Sequence, residues 1–249
     1  MIPVWLTNLS ILMLALGGAC SLIIAAHLAL GHKQHMRIMN AVWPLTALFG
    51  TVVSLWAYFR YGRLAEHAKA VEARARDEAL PSKKRTPFPM MVVKGTAHCG
   101  AGCALGDICA EFLALGFPAI AIGLGWKSLF PAGHHGKIFA VWILDYLFAF
   151  AFGVLFQYLT IKPMRGLSPA QGLVQALKAD TLSLTAWQIG MYGFMAFAHF
   201  FVFVRVWNAS ITPSMPAFWF AMQIAMLFGF ATSYPINWWL IRVGVKEAM

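Results

Sequence analysis

The chain has 249 residues, of which 60% are hydrophobic and only 11% are charged. Soluble domains carry about 25% charged residues, so the composition excludes a soluble globular protein and indicates an integral membrane protein. The four cysteines, three of them between Cys99 and Cys109, do not form the framework of a disulfide-rich secreted domain. The net charge of +10 is explained by membrane topology, and no nucleic acid is predicted as a partner.

Six apolar segments are long enough for membrane-spanning helices, each of which needs about 20 apolar residues. Backbone groups in hydrocarbon must be hydrogen-bonded within their own segment, so the spans are predicted to be helices. The predicted spans are Val4–Leu30, Ile38–Tyr58, Ala97–Leu124, Ile138–Ile161, Leu182–Trp207 and Ala217–Val243. The predicted fold class is all-α: a polytopic bundle of six transmembrane helices, in which residues 1–249 form one domain in the lipid bilayer.

The distribution of lysine and arginine predicts how this bundle is oriented. Most of the 19 basic residues fall on the side that holds the connection between the second and third spans, residues 60–95. By the positive-inside rule this connection is a basic cytoplasmic loop, and both termini are cytoplasmic. We therefore expect a multi-pass protein of a bacterial inner membrane, with homo-oligomerisation left open.

A cluster of chemically active side chains opens the third span, where residues 98–107 read HCGAGCALGD. Cys99, Cys103, Asp107 and Glu111 are spaced four apart and share one face of a helix. Thiolate and imidazole groups are ligands that suit Cu(I) or Zn, so His98, Cys99 and Cys103 are predicted to bind a metal near the cytoplasmic side. The alternatives are redox chemistry of the thiols and simple packing, in which cysteine acts as a small apolar residue.

Side chains that can act as soft metal ligands recur in the last two spans. Met191, Met195 and His199 follow at intervals of four in the fifth span, and Met222 and Met226 do so in the sixth. Neutral sulfur and imidazole ligands of this kind suit a path for Cu(I) through the membrane. The structural alternative is that the methionines fill gaps in a packed bundle.

Ionisable groups inside a membrane segment are functional candidates because each costs several kcal/mol unless it is paired or hydrated. Besides Asp107 and Glu111, the candidates are Asp145 in the fourth span, with Lys178 and Asp180 at the start of the fifth. These groups are predicted to exchange protons or to pair with one another.

Histidines gather in the connections that are predicted to face outward. They are His27, His32, His35, His134 and His135. One interpretation is a metal site, because imidazole is a common metal ligand, and the other is a set of exposed loop residues. His27 and His199 both fall in the predicted outer half, which suggests haem as a further possibility, although the chain has no CxxCH attachment motif.

Three segments resemble a bacterial family of multi-pass membrane proteins that is filed as a domain of unknown function. They are the HCGAGCALGD motif at residues 98–107, the Lys178–Asp180 start of the fifth span, and the stretch from Phe218 to Arg242. The resemblance covers roughly the last two thirds of the chain and implies a multi-pass membrane protein. Some family members carry labels related to copper oxidases, but the resemblance implies no activity and no ligand set.

Together these patterns favour transport or handling of a soft metal ion across the cytoplasmic membrane, with Cu(I) preferred and zinc as the other metal. The main alternative is a proton-coupled carrier or channel for a small solute, which uses the same carboxylates. A haem-binding redox protein is a further alternative. No catalytic residue is predicted.

Overall fold

The computed structural model describes residues 1–131 and 133–248, without the side chains of residues 133 and 134. His134, one of the predicted outer-face histidines, therefore lies outside the described side chains. Helices account for 80% of the chain and the described residues form no strand, so the predicted all-α class is confirmed. Six helices are long and apolar enough to cross a membrane, also as predicted.

The described helices follow one another along the chain with short connections. They are α1 (Val4–Ala29), α2 (Met39–Arg60), α3 (His67–Ala75), α4 (Pro81–Arg85), α5 (Phe88–Gly116), α6 (Pro118–Gly123), α7 (Gly133–Arg165), α8 (Pro169–Ala196) and α9 (Pro216–Arg242). A 3-10 turn, Gly62–Ala65, follows α2, and a π-helix, Phe197–Val206, continues α8 without a break. Helices α1, α5, α7, α8 and α9 run through the bundle from end to end, whereas α2 does not.

Helix α2 folds back on itself at Thr51, whose φ of 42° and ψ of −126° are far from helical. The rings of Trp43 and Tyr58 lie only 5.6 Å apart, centroid to centroid. A straight helix would separate these two residues by about 22 Å. The helix is therefore a re-entrant hairpin with limbs at residues 39–50 and 52–60, and both of its ends lie at the same end of the bundle.

The tip of the re-entrant hairpin reaches the middle of the bundle. Gln223, about two turns into α9, donates a hydrogen bond from Nε2 to the carbonyl oxygen of Leu48 at 2.6 Å. The same nitrogen lies 3.3 Å from the carbonyl oxygen of Met13 in α1. Non-helical backbone at membrane depth is tolerated where protein covers it and satisfies its polar groups, and Gln223 does this for the hairpin.

The hairpin places the two termini at opposite ends of the bundle. The α-amino group of Met1 donates to the carbonyl oxygen of Trp207, just beyond the π-helix. Glu247 accepts a hydrogen bond from Arg165, at the other end of α7. We call the end with Met1 the N-terminal end and the end with Glu247 the basic end. The prediction that both termini lie on one side is wrong, because it counted α2 as a full crossing.

Nearly all of the positive charge lies at the basic end, together with the C-terminus. Of the 19 lysines and arginines, only Lys127, Lys137 and Arg205 lie toward the N-terminal end. The folded-back hairpin moves Lys33 and Arg37 to the basic end, so the asymmetry is greater than the sequence alone predicted. By the positive-inside rule we expect the basic end to face the cytoplasm.

The segment after the hairpin packs against the loop before it. The backbone N–H of His35 donates to the carbonyl oxygen of Ala65, and that of His67 donates to the carbonyl oxygen of Lys33, both at 2.8 Å. The predicted basic loop at 60–95 therefore folds onto the basic end. It is shorter than predicted, because α5 begins at Phe88.

Helix α5 lies about nine residues earlier in the chain than the predicted span Ala97–Leu124. It ends at Gly116, and Phe117 has a φ of −129° and a ψ of 77°. The ring of Pro118 disfavours a helical conformation in the residue before it, so the helix stops there and α6 begins at Pro118.

Helix α8 also begins earlier than the predicted Leu182, because a capping box fixes its first turn. The side chain of Ser168 accepts the backbone N–H of Gln171, and the side chain of Gln171 accepts the backbone N–H of Ser168. This reciprocal pairing satisfies two N–H groups that a helix start leaves free. The early start places Asp180 well inside the helix rather than at its beginning.

Helices α5 and α7 approach each other closely because glycines lie where they cross. A Cβ atom on Gly106 would come within 2.6 Å of the Cα atom of Ala149, and Gly102 lies against Gly153. Small residues allow helix backbones to come together in lipid, where dispersion contacts hold a bundle. The close crossing brings the polar side chains of both helices into the bundle interior.

Candidate functional site

Buried polar side chains form a row through the interior of α5, α7, α8 and α9, from the basic end toward the N-terminal end. We call this set the polar row. Its members are Lys246, Asn237, Ser183, Asp180, Gln157, Cys99, Cys103, Gln188, Asp107, Asp145 and Glu111, and all of them are buried. A polar row inside an otherwise apolar bundle is the feature that distinguishes this fold.

The polar row begins at the basic end with Lys246, which follows α9 and folds back into the bundle. Its Nζ donates to Oδ1 of Asn237 at 2.7 Å and lies 3.4 Å from Oγ of Ser183. Nδ2 of Asn237 donates in turn to Oγ of Ser183 at 2.8 Å. The charge of Lys246 also acts on the carboxyl group of Asp180, the next member of the row.

Thiols occupy the middle of the row, between two carboxyl groups. Asp180 neighbours Cys99 and Gln157. Cys103 lies beside Cys99 and within electrostatic reach of both Asp107 and Asp180. The predicted thiol pair is therefore brought together and flanked by carboxyl groups from α5 and α8.

Three carboxyl groups meet toward the N-terminal end. Asp107 neighbours Gln188 of α8 and lies one turn from Glu111. Asp145 of α7 is within electrostatic reach of both Asp107 and Glu111. The charge of Lys137 acts on Glu111, so a lysine stands at each end of the row.

The carboxyl groups of Asp107, Asp145 and Asp180 form no ion pair and no hydrogen bond to the backbone among the described residues. Within that part of the chain, both oxygens of Asp145 are buried without a hydrogen bond, whereas Asp107 has only the amide of Gln188 beside it, and Asp180 only the thiol of Cys99 and the amide of Gln157. Native proteins rarely leave such groups unbonded, and each case requires an explanation. Groups of this kind at membrane depth are suited to bind protons, water or a passing cation.

The predicted metal ligand His98 lies apart from the two thiols. Its Nε2 lies 3.4 Å from Oγ1 of Thr160 on α7, and its ring is 5.9 Å from that of Phe156. Cys99 and Cys103 instead pack in the core with Trp187 of α8. Within residues 1–131 and 133–248, no three His, Cys, Asp or Glu side chains are grouped as a metal site would require.

The sulfur atoms of α5, α8 and α9 are gathered in a single core cluster. Its sulfur-containing members are Cys99, Cys103, Met191, Met195, Met222 and Met226, all of them buried. The cysteine and methionine residues singled out in the sequence of these three helices therefore lie in one cluster. Their common cluster lies directly beside the polar row, because Cys99 and Cys103 belong to both.

His199 does not continue the helix face of Met191 and Met195 as predicted, because the chain changes from α-helix to π-helix at Phe197. A wider helical turn alters which residues share a face. Nε2 of His199 lies 3.2 Å from Nδ1 of His135 at the start of α7. This pair belongs to the N-terminal end of the bundle.

The predicted outer-face group of histidines is divided between the two ends. His27, His32 and His35 lie at the basic end, whereas His135 lies at the N-terminal end with His199. The grouping was wrong because it also assumed that α2 crosses the membrane. For the same reason His27 and His199 lie at opposite ends, and they do not form a pair of haem ligands.

The histidines at the basic end have local partners. The ring of His27 stacks on that of His32 at 3.9 Å, and its Nδ1 is 2.8 Å from the hydroxyl of Tyr58. His32 lies 3.5 Å from Glu66. Burial alone would raise the pKa of the Glu66 carboxyl, but Arg63 and Lys69 outweigh it and hold that pKa below its ordinary value.

Lys178 was predicted to act with the buried carboxyl groups, but it is exposed. Lys246 takes that place beside Asp180. Sequence reasoning missed Lys246 because it lies in the tail beyond the last span, where lysine is ordinarily a topology signal. It also missed Gln188, whose only signal was its position eight residues after Asp180 on the same helix.

A cavity of about 330 Å³ opens beside the polar row, between α1, the tip of the hairpin, α5 and α9. Its walls are almost entirely apolar and include Phe49, Trp219 and Met222. Two groups introduce polarity: the carboxyl of Asp107, and Oε1 of Gln223, which has no hydrogen-bond partner among the described residues. We call this the apolar cavity.

These features define a polytopic α-helical membrane protein with a buried polar row and an adjoining cavity. The chain belongs to the family described as a domain of unknown function, DUF4396, whose model matches residues 90–246. The matched region contains α7, α8, α9, all but the first two residues of α5, and every member of the polar row, whereas α1 and the hairpin precede it. No curated protein and no solved structure matches the chain.

Proposed function

We propose that this protein is a proton-coupled carrier for a small solute, in which the polar row conducts protons between the two ends of the bundle. The observation that carries the proposal is the set of buried carboxyl groups, Asp107, Asp145 and Asp180, which form no ion pair among the described residues and of which Asp145 has no hydrogen-bond partner there. An unpaired carboxylate in a membrane interior costs several kcal/mol. Each group therefore carries a proton unless a cation accompanies it, which is the behaviour required of a proton relay.

Asp107 connects the relay to the cargo in this proposal. It belongs to the polar row and also lines the apolar cavity. Pockets for small molecules are mainly apolar, with a few polar groups that fix orientation, and begin at about 300 Å³. The cavity, at about 330 Å³, fits a small molecule of this kind.

The cavity also indicates the chemistry of the cargo. Nε2 of Gln223 is already bonded to the hairpin, so Gln223 offers the cavity only its acceptor atom, Oε1. Asp107 offers the oxygen atoms of its carboxyl group, which also accept hydrogen bonds. A cargo with an apolar body and a cationic donor group satisfies both acceptors. When this cation binds, its positive charge compensates the negative charge of ionised Asp107. The proton that Asp107 carried therefore leaves along the polar row.

Replacement of Asp107 by asparagine is expected to abolish this exchange. We expect benzylguanidine, a small aromatic cation, to drive proton movement in vesicles that contain the purified protein and an internal pH-sensitive dye. Asp107→Asn preserves size but removes the exchangeable proton, so the rate should fall at least about tenfold. Benzylurea, the neutral analogue, should drive no proton movement.

Asp77→Asn is the matched control, because Asp77 is an exposed carboxylate in the basic loop. It should retain the full rate. The proposal is wrong if wild-type vesicles move no protons above protein-free vesicles, or if Asp107→Asn and wild type have equal rates.

A second candidate is the handling of Cu(I), and the shared sulfur cluster of α5, α8 and α9 favours it. Thiol and thioether sulfur are the soft ligands that Cu(I) prefers. The thiols of Cys99 and Cys103 lie next to the carboxyl groups of Asp107 and Asp180. The protons that the thiols release when a metal binds leave along the row. The copper candidate uses the same polar row as the proton-coupled carrier, but its cargo is a metal ion.

Copper binding is expected to depend on the two thiols in the row. The purified protein, titrated with Cu(I) against a competing chelator, should bind the metal, and Cys99→Ser together with Cys103→Ser should remove that binding. Cys20→Ser is the matched control, because Cys20 is equally buried but packs between α1 and the hairpin. Equal binding by the double variant, or none by the wild type, would exclude the copper candidate.

A further inference from the structure

A second and larger cavity, of about 840 Å³, lies at the basic end, between the loop before the hairpin, the segment after it, α5 and α7. We call it the basic cavity. Its charged side chains are all cationic: Arg37, Arg74, Lys83 and Lys94 line it, and none of the lining residues is acidic. This feature plays no part in the proposed carrier function.

Lys94 is the most unusual of these residues, because it is buried. Its side chain is only 3% exposed, and Nζ has a single distant neighbour, Oγ1 of Thr86 at 3.5 Å. Among the described residues it forms no ion pair. An isolated buried ammonium group is costly, and buried charges are normally paired.

Two further hydrogen-bond donors in the wall of the basic cavity are without partners. The indole Nε1 of Trp43 and the side-chain amide of Gln34 are buried, and neither forms a hydrogen bond within the part of the chain that the structure describes. Indole N–H is a donor only. The inner wall therefore offers an ammonium group, an indole N–H and an amide N–H, while exposed arginine and lysine stand at the mouth.

The nearest buried carboxylate does not neutralise this wall. Glu66 is bound by Arg63 at 2.9 Å and by Lys69 at 3.2 Å, and it does not line the cavity. Burial, together with the charge of Arg74 and the neighbouring His67, also lowers the pKa of His35 at the cavity wall. The cavity is therefore positively charged and rich in donors.

We propose that the basic cavity binds an anion that carries a phosphate group on a larger, partly apolar body. Phosphate offers several acceptor oxygens and up to two negative charges, which match the donors of Lys94, Trp43 and Gln34. Apolar residues in the remainder of the wall, which include Ile38, Leu159 and Met164, accommodate the body of the ligand. A lipid headgroup and a soluble phosphorylated molecule share this chemistry.

Thermal unfolding of the full-length protein in detergent distinguishes the two sources. Phosphatidylglycerol, phosphatidylcholine, inorganic phosphate and adenosine monophosphate are added separately. A ligand that binds only the folded state raises the unfolding temperature. A rise with phosphatidylglycerol but not with the soluble phosphates assigns the cavity to a lipid headgroup, and the reverse assigns it to a soluble molecule.

Lys94→Met keeps the length of the side chain and removes its charge. We expect this variant to bind the anion that stabilises the wild type at least about tenfold more weakly, because a charge-assisted hydrogen bond is lost. Lys178→Met, which removes an exposed lysine outside the cavity at the same end, should leave the affinity unchanged. Should Lys94→Met fail to fold, Trp43→Phe removes the indole donor, keeps an aromatic ring and should weaken binding in the same way.

The proposal is overturned if no phosphate-bearing compound raises the unfolding temperature of the wild type. It is also overturned if the folded Lys94→Met or Trp43→Phe variant retains wild-type affinity. Because Asp107 lies outside the basic cavity, Asp107→Asn should retain anion binding. Failure of the carrier proposal therefore leaves the anion-binding proposal intact, and failure of the anion-binding proposal leaves the carrier proposal intact.

Discussion

Cysteines introduced on the two sides of the re-entrant hairpin are expected to lie on the same side of the membrane. Lys33→Cys precedes the hairpin, Arg76→Cys follows it, and both positions are exposed at the basic end. In intact cells neither should react with a membrane-impermeant maleimide, and both should react once the membrane is permeabilised. The reason is that α2 turns back at Thr51 and leaves the membrane where it entered.

The contrasting position is Ser128, an exposed residue at the N-terminal end. Ser128→Cys should react in intact cells, and a reporter at the N-terminus should likewise be outside while one at the C-terminus is inside. A Cys109→Ser background avoids labelling of the native cysteine that is not fully buried. Labelling of Lys33→Cys but not Arg76→Cys in intact cells would show that α2 crosses the membrane and would contradict the hairpin.

The second large effect concerns the crossing of α5 and α7. Gly106→Ala is expected to destabilise the protein by about 1–3 kcal/mol, as overpacking of a well-packed core does. The added methyl group would meet the backbone of Ala149, which has no rotamer through which to move away. The helices must separate, and the polar row between them is disturbed as well.

Gly116→Ala provides a matched control on the same helix. A Cβ atom at Gly116 meets nothing within 4 Å, so this change should be neutral or slightly stabilising, since alanine favours helix more than glycine does. Unfolding of both variants in mixed micelles gives the comparison. Equal stability of the two variants would mean that the close crossing is absent in the protein.

The general class of the protein followed directly from composition. Apolar segments of sufficient length have no stable alternative to helix in hydrocarbon, so the helical class and the six apolar helices were predictable. The thiols of Cys99 and Cys103 and the methionines of α8 and α9 share one core cluster, whereas their role as metal ligands stays a prediction. Spacing by four residues determines a helix face wherever the helix remains regular.

Predictions failed where the backbone departed from a regular helix. The reversal at Thr51 changed the position of the N-terminus and of three histidines, although the residues of α2 are as apolar as those of a true span. The π-helix after Ala196 turned His199 toward His135. In both cases a backbone irregularity of a few residues changed the location of residues that a regular helix would have placed elsewhere.

Sequence by itself determined that the chain lies in a membrane as helices and that carboxyl, thiol and thioether groups enter the bilayer with it, because burial of apolar segments depends on composition and length. Only the tertiary structure decided which of these groups meet. Lys246 reaches Asp180, His98 turns away from the thiols, and the hairpin completes a cavity beside Asp107. Each of these outcomes depends on contacts between segments far apart in the chain, where packing and local backbone geometry, rather than helical periodicity, determine the neighbours.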